Sequence, residues 1–296
     1  MKPSINKIYL SLAARAFGSA GDAIMTCTPV YPPFTQVAHD AQMETKAVDH
    51  VLVDGVWTFD FEKMEAEVTE KTKIFILCNP QNPLGRSFNE TEVIKVAEFC
   101  HRHDLVLISD EIHCDLVLNE EERPFFSALN LPELLREKLI VLQAPSKTYN
   151  IAGMGYAFAV IENDTIRRKY NAAKGHTLPE INCISFFTAE AAYKYGEPWR
   201  QELLSYLRKN RDTIAEFVKL EMPQVIMPTI EATYLAWMDC SALEYSNPAT
   251  HLEKAQQLFV SDGAFFGSPQ CIRFNYGCAH SRVLEGLEKI KKGFFS

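Results

Sequence analysis

The chain has no run of apolar residues that approaches the ~18 residues needed to cross a bilayer. Its first residues, 1–7, lack the apolar stretch followed by small residues that marks a secretory signal. Neither a glycine-rich dinucleotide fingerprint nor a nucleotide-type phosphate loop occurs among its 13 glycines. These absences argue against a membrane or secreted protein, indicate a cytoplasmic one, and disfavour a nicotinamide or nucleotide enzyme.

Positive charge is also scarce, because 30 Lys and Arg face 38 Asp and Glu, for a net charge of −8. Nucleic acid is therefore not expected as a partner, since phosphate binding needs a basic surface. The local triplet Arg167-Arg168-Lys169 is interpreted as the solvated face of a helix, with an anion contact as the alternative.

The eight cysteines stand singly, without a Cys-x-x-Cys pair, and several lie inside apolar runs. They are interpreted as small core residues in a reducing cytoplasm. His101, His103, His113 and Cys114 lie close enough together to suggest zinc, but their spacing fits no closed zinc site. No metal is predicted.

The chain does have a regular alternation of apolar runs and amphipathic segments. Residues 73–78, 105–109 and 139–143 are nearly continuous apolar runs, as expected for parallel strands covered on both faces. Asn89 with Glu92 three residues on forms a capping-box pattern at the start of a helix. This rhythm predicts an α/β fold, with a three-layer, doubly wound, mostly parallel sheet.

The pattern changes near residue 196. A large α/β domain is predicted over residues 1–195 and a smaller C-terminal α+β domain over residues 196–296, which opens with a long helix at 198–220. The other predicted elements are strands at 23–28, 44–48, 156–161, 233–238 and 271–276, and helices at 5–17, 34–41, 60–68, 248–259 and 281–292.

Polar side chains follow the three apolar runs, where sites form in open α/β sheets. Asn82 comes after the first run, Asp110 after the second and Lys147 after the third, so an amide, a carboxylate and an amine are expected around one crevice. A lysine held beside a sheet is partly desolvated, which lowers its pKa and makes its amine a nucleophile toward aldehydes. The alternative is a lysine solvated at the surface.

The motifs around these residues carry a family resemblance. They resemble fold-type I pyridoxal-phosphate (PLP) enzymes of the class I/II aminotransferase group through Asn79-Pro-x-Asn82-Pro-x-Gly85, Asp110-Glu-Ile-His113 and Ser146-Lys147-Thr-x-Asn150-x-Ala-Gly153. Finer matches point to the MalY/PatB-type cystathionine β-lyases, or C–S lyases: Thr28-Pro-Val-Tyr31-Pro-Pro-Phe34, Ser261-Asp-Gly-Ala-Phe-Phe-Gly267 and Ile272-Arg273-Phe-Asn275-Tyr-Gly277-Cys278. The resemblance spans nearly the whole chain.

The resemblance implies a cofactor role for four residues. It implies that Lys147 binds PLP covalently and, once released by the substrate, moves the Cα proton as a general base. Asp110 then holds the pyridine nitrogen protonated, Asn82 donates to the phenolic oxygen, and Tyr31 stacks on the ring. From the residues alone, Asp110 can also be a helix N-cap, and Tyr31 an aromatic residue of the core.

Three further residues receive roles from the same resemblance. Arg273 clamps the substrate carboxylate, with a strand arginine that reaches the surface as the alternative. Ser146 is a ligand of the cofactor phosphate. His113 lies near the ring, either in direct contact or behind it.

The implied reaction is an α,β-elimination that converts cystathionine or a related cysteine S-conjugate to a thiol, pyruvate and ammonia. An aminotransferase on the same scaffold is the first alternative. The substrate is a small amino acid, and a homodimer is expected because the family builds each site from two subunits.

Related enzymes usually carry a further segment before the helix at 5–17, which includes a loop that holds the cofactor phosphate at a helix N-terminus. Residues 1–7 contain no glycine, so that loop is not expected among them. A chain that is short in this part of the site leads to the second alternative, a non-catalytic protein that keeps the fold and acts by binding.

Overall fold

The computed structural model describes residues 5–175 and 181–295. The helices and strands alternate along the first two thirds of the chain, as predicted. In chain order they are α1 (Ile5–Phe17), β1 (Ala23–Thr28), α2 (Pro33–Asp40), β2 (Glu44–Asp49), β3 (Val51–Val53), β4 (Val56–Thr58), α3 (Phe61–Glu67), β5 (Thr72–Cys78), α4 (Glu90–Arg102), β6 (Val106–Asp110), β7 (Leu139–Gln143), β8 (Phe158–Val160), α5 (Asp164–Lys174), α6 (Cys183–Tyr195), α7 (Glu197–Glu221), β9 (Leu235–Asp239), α8 (Pro248–Gln256), β10 (Ser261–Asp262), β11 (Cys271–Asn275) and α9 (His280–Phe295).

Six strands form the main sheet in the order β2-β1-β5-β6-β7-β8. The first five run parallel, and β8 pairs antiparallel with β7. Strand order departs from chain order between β1 and β5, so the chain crosses over the sheet through helices. This confirms the predicted doubly wound, mostly parallel sheet.

Apolar side chains of the central strands point alternately to the two faces of the sheet. On β5, Ile74 and Ile76 pack into the core beneath α1, α2 and α5, whereas Phe75 and Leu77 pack into the core beneath α3 and α4. Because successive strand residues face opposite sides, an uninterrupted apolar run buries both faces. The sheet is therefore the middle of three layers.

Helix α4 begins as the sequence predicts. The Asn89 side chain accepts a hydrogen bond from the Glu92 backbone N–H at 3.0 Å, and the Glu92 carboxylate accepts one from the Asn89 N–H at 2.9 Å. This reciprocal pair satisfies two N–H groups that the first turn of a helix leaves without partners.

The C-terminal part of the chain builds a second sheet, antiparallel, in the order β10-β11-β9. Helices α7, α8 and α9 cover it, and the apolar core between them includes Leu207, Met238, Ile272 and Leu287. This separate sheet and core match the smaller α+β unit expected from the sequence.

Several predicted boundaries are wrong, and local backbone explains two of them. Helix α8 stops at Gln256 rather than residue 259, because Gln257 adopts a left-handed φ of 51°. Thr233 has a φ of 73°, so β9 begins at Leu235. Asp110 is the last residue of β6 rather than the residue after it.

The basic triplet Arg167-Arg168-Lys169 lies exposed on α5, as predicted. Five of the eight cysteines are buried, as predicted: Cys27, Cys78, Cys100, Cys240 and Cys271. For the other three the prediction of core residues is wrong, because Cys114 is half-buried and Cys183 and Cys278 are exposed. Helix α6 and the hairpin β3–β4 were not predicted. Among the described residues, no helix combines the length and the apolar character that a bilayer crossing requires.

We expect Asn89→Ala to lower the free energy of unfolding by about 1 kcal/mol, because it removes the side-chain acceptor of the α4 cap. Urea denaturation with an unchanged m value measures this. The control is Glu98→Ala on the exposed face of the same helix, for which a change within about 0.5 kcal/mol is expected. Equal effects of the two substitutions would contradict the cap.

Candidate functional site

The carboxyl ends of β5, β6 and β7 meet at one edge of the main sheet. Asp110 at the end of β6 pairs with Cys78 of β5 on one side and with Leu142 of β7 on the other. A partly open cavity of about 330 Å³ lies there. Its walls are formed by Tyr31, Phe34, Cys78, Asn82, Asp110, Ile112, His113 and Lys147.

Five of the seven residues predicted for the site therefore line one cavity: Tyr31, Asn82, Asp110, His113 and Lys147. They lie far apart in the sequence, and parallel pairing of the strands brings them together. The other two, Ser146 and Arg273, lie beside the cavity and are described below.

The loop after β5 is held from both ends. The Asn79 N–H donates to the Asp110 carbonyl at 3.0 Å, and the Asn79 side-chain oxygen accepts from the Phe88 N–H at 2.9 Å. Gly85 has a φ of 70°, and a Cβ there would lie 2.9 Å from Ile230 Cγ2, so only glycine fits. These contacts fix the conformation of the loop and therefore the position of Asn82.

Asp110 is buried, and its Oδ1 accepts a hydrogen bond from the Ile112 N–H at 3.2 Å. Glu111, the next residue, points away from the cavity and accepts hydrogen bonds from Ser109, Ser127, Gln143 and the Ala128 N–H. Burial raises the pKa of the Glu111 carboxyl, and these four donors oppose that shift.

Burial lowers the pKa of the Lys147 amine from its ordinary value, and the Arg273 charge lowers it further, while the Asp110 carboxylate raises it. Because desolvation is the largest of these effects, the neutral amine is easier to reach than in a surface lysine. The sequence-based expectation of a desolvated lysine agrees with this environment.

His113 lies under the edge of the Tyr234 ring, with the ring centroids 6.0 Å apart. Burial lowers the pKa of His113 to about 3, and the charges of Lys147 and Arg273 act in the same direction. The imidazole is therefore neutral at pH 7. Its Nδ1 is buried and has no hydrogen-bond partner among the described residues.

Arg273 on β11 reaches from the small sheet to the loop after β5. Its guanidinium donates to Asn82 Oδ1 at 2.8 Å and to Ser261 Oγ at 3.0 Å, and its carbon lies 4.7 Å from the centroid of the Phe266 ring. Burial lowers the pKa of Arg273. Because the Asn82 side-chain oxygen accepts this bond from Arg273, the NH₂ group of Asn82 is left to donate to a ligand.

Tyr31 is half-buried and meets Phe34 edge to face, with 6.2 Å between ring centroids. Ser146 is buried, and its hydroxyl donates to the Tyr156 carbonyl at 3.4 Å rather than lining the cavity. Its predicted role as a phosphate ligand remains a prediction. Residues 1–4 of the stretch compared with the family's phosphate loop lie outside the described residues.

Sequence reasoning gave no role to several residues that shape the site. Tyr234, just before β9, meets His113, and Ser261 on β10 accepts from Arg273. Thr148, beside Lys147, donates to Asp115 Oδ2 at 3.3 Å. Phe34, a further residue of the cavity wall, and Ser261 both lie inside the family motifs of the sequence. That position is the only sequence signal that could have identified these two residues.

The donor set fits a pyridoxal group. It offers an amine for an aldehyde, a buried carboxylate for a ring nitrogen, an amide N–H for a phenolic oxygen and an aromatic face. Five buried side-chain polar atoms lack a partner in the described part of the chain, and two of them, His113 Nδ1 and Arg273 Nε, belong to this site. Buried polar atoms are normally paired, so unpaired ones around a cavity indicate a ligand.

Known proteins agree with this geometry. Residues 8–290 match the family model of aminotransferase class I and II. The chain is 33% identical to cystathionine beta-lyase PatB of Bacillus subtilis over 95% of its length and 74% of PatB, and 31% identical to protein MalY of Escherichia coli over 96% of its length and 73% of MalY.

A solved structure shares the fold. Cystalysin from Treponema denticola, which contains a pyridoxal 5'-phosphate cofactor, superposes with a TM-score of 0.92 at 30% identity, over 97% of this chain and 74% of that one. The family match covers almost the entire chain, and the resemblance to MalY- and PatB-type proteins is confirmed. The chain belongs to the class I and II aminotransferase family.

Proposed function

We propose that the chain binds PLP and cleaves a carbon–sulfur bond of cystathionine or a related cysteine S-conjugate by α,β-elimination. The observation that carries this proposal is the convergence of Lys147, Asp110 and Asn82 on one cavity. Elimination is favoured over transamination because the cystathionine beta-lyase PatB is 33% identical to this chain, whereas the aspartate aminotransferase of the same organism is 25% identical.

PLP, when bound, draws electrons away from the Cα of an amino acid, which acidifies its Cα–H bond. Asp110 would hold a proton on the ring nitrogen, and the Asn82 NH₂ would donate to the phenolic oxygen. Tyr31 would cover one ring face. The Nδ1 atom of neutral His113, which has no partner among the described residues, would form a further hydrogen bond to the ligand.

Lys147 would take the Cα proton of the substrate, because its depressed pKa makes the neutral amine available. The Cβ–S bond then breaks, the sulfur keeps the electron pair, and a proton converts the leaving thiolate to a thiol. Water converts the remaining three-carbon fragment to pyruvate and ammonia. Arg273 would fix the substrate carboxylate so that the Cα–H bond faces Lys147.

The proposal also covers the domain boundary, the oligomeric state and the cellular location of the protein. We propose a domain boundary at Gly196, between α6 and α7, with domains at 1–195 and 196–296. A homodimer is supported by the exposed apolar side chains Ile184 and Phe187 on α6, which are 60% and 70% exposed. Eight unpaired cysteines support a cytoplasmic location.

The decisive assay adds PLP and cystathionine and measures pyruvate and free thiol. Both products without any added keto acid would support elimination. A product that forms only with a keto-acid acceptor would instead identify an aminotransferase. PLP that fails to bind at saturating concentration would identify the non-catalytic binding protein.

We expect Lys147→Ala to lower the elimination rate by about 10²–10⁴-fold, because no other lysine of the described residues lines the cavity and could accept the Cα proton. Borohydride reduction of the PLP-treated wild type should fix one PLP on the peptide that contains Lys147, and mass spectrometry detects it. Lys169→Ala on the exposed face of α5 is the control and should keep full activity. Labelling of another lysine would refute the assignment.

We expect Arg273→Lys to raise KM for cystathionine by about tenfold or more, since a lysine cannot form the bidentate pair of hydrogen bonds that an arginine forms with a carboxylate. Steady-state kinetics with PLP in excess measure KM and kcat separately. Arg282→Lys is the matched control, because Arg282 is exposed and pairs only with Glu285 in the described residues. An unchanged KM would exclude Arg273 from carboxylate binding.

In the protein without cofactor, we expect Asp110→Asn to shift the labelling of Lys147 by an amine reagent to lower pH. The Asp110 carboxylate favours the charged amine, so its loss lowers the pKa of Lys147 further below the ordinary value. Only the neutral amine reacts, and peptide mass spectrometry across a pH series gives the midpoint. A midpoint that stays the same or moves to higher pH would contradict the proposed influence of Asp110 on Lys147.

A further inference from the structure

Gln81 comes directly before Asn82 in the loop after β5, and the proposed reaction gives it no role. The residue is only 1% exposed, although glutamine usually lies at the surface of a protein. Its backbone is held inside the loop, because its N–H donates to the Arg86 carbonyl at 2.7 Å and its carbonyl accepts from the Gly85 N–H at 2.9 Å. A buried amide on such a fixed backbone requires hydrogen-bond partners nearby.

The side-chain NH₂ of Gln81 has two neighbours. It donates to the Pro29 carbonyl at 2.9 Å and lies 3.3 Å from Nε2 of His50. The Thr58 carbonyl can only accept a hydrogen bond, and it lies 3.2 Å from His50 Nδ1, so Nδ1 carries the proton. Burial lowers the pKa of His50 to about 4, so the ring is neutral at pH 7 and its Nε2 accepts from Gln81. Gln81 thus donates to two other segments of the chain.

The Pro29 carbonyl belongs to the loop after β1. Two residues later the same loop carries Tyr31, which lines the cavity together with Asn82. Gln81 itself is not among the described residues that form the cavity walls. Its amide therefore joins, from outside the cavity, the two loops that present Tyr31 and Asn82 to a ligand.

His50, the second acceptor, is itself held in place. Its N–H donates to the Thr28 carbonyl at 2.7 Å. Its ring stacks on Phe88 with 5.5 Å between centroids and lies 5.0 Å from the ring of Phe59. A buried imidazole between two aromatic rings has little freedom to turn. His50 therefore fixes the orientation of the Gln81 amide that reaches Pro29.

We propose that Gln81 is a positioning residue, whose amide holds Tyr31 and Asn82 in a fixed relation on the walls of the cavity. The inference rests on the proposed function, because that function places these two side chains against the PLP ring. A reacting geometry that is displaced by about 1 Å can lose a factor of about 10² in rate. The bond from Gln81 to Pro29 therefore influences the reaction although Gln81 lies outside the cavity.

The first test uses the protein without cofactor. Gln81→Met keeps a side chain of similar length and removes both donors. Hydrogen exchange with mass spectrometry follows the peptides that contain Tyr31 and Asn82. Both should exchange at least about tenfold faster, because the two loops lose the bond that joins them.

The matched control is Thr26→Val, which removes another buried hydrogen bond, from the Thr26 hydroxyl to the Ile76 carbonyl at 2.9 Å inside the main sheet. It should leave the exchange of the Tyr31 and Asn82 peptides unchanged. Thermal unfolding of both variants checks that the fold is retained.

The second test separates positioning from a general loss of structure by a double-mutant cycle on PLP affinity. Gln81→Met alone should weaken PLP binding by about tenfold, which is the loss of one or two hydrogen bonds. The same substitution should cause no further loss when Tyr31→Ala and Asn82→Ala are already present, because the residues that it positions are then gone. Absorbance titration with PLP measures the dissociation constants.

Three results would overturn the proposal. They are losses of PLP affinity that multiply in the combined variant, faster exchange in only one of the two peptides, and exchange that is the same in Gln81→Met as in the wild type. A wild type that fails to bind PLP would refute the proposed function instead. The exchange measurement needs no PLP, so it would still decide whether Gln81 joins the two loops.

Discussion

The parallel pairing of β5, β6 and β7 is the constraint on which the site depends. Asp110 pairs with Cys78 and with Leu142, so the three strands end level at one edge. The loops that follow them must then leave from the same place, and they carry Asn82, His113 and Lys147 into one cavity. A shift in strand register would separate the carboxylate from the amine.

Burial gives this cavity its electrostatic character. Desolvation is the largest influence on Lys147, His113 and Arg273, and it lowers the pKa of each. The Arg273 charge lowers the pKa of Lys147 further, and the charges of Lys147 and Arg273 lower that of neutral His113, while Asp110 raises the pKa of Lys147. The site therefore keeps the His113 imidazole neutral and makes the neutral form of the Lys147 amine easier to reach than in a surface lysine, which is the form that a general base needs.

The small sheet completes the site through contacts that cross the molecule. The Gly85 carbonyl accepts hydrogen bonds from the Glu231 and Ala232 N–H groups, at 2.8 and 2.9 Å. The Glu231 carboxylate forms ion pairs with buried Arg86 and with Arg123. These hydrogen bonds and ion pairs hold the loop after β5 against the C-terminal part of the chain, and Arg273 can therefore reach Asn82.

Local patterns in the sequence were enough for the layers of the fold and for placing Asn82, Asp110 and Lys147 at one crevice, whereas the family resemblance was needed for Tyr31 and His113. Continuous apolar runs predicted the parallel strands, and the box formed by Asn89 and Glu92 predicted where α4 begins, because both depend on neighbours a few residues away. The bond between Arg273 and Asn82 joins residues 191 positions apart, and the four donors to Glu111 come from two strands and the loop between them. Such contacts depend on how distant elements pack, and no local pattern encodes that packing.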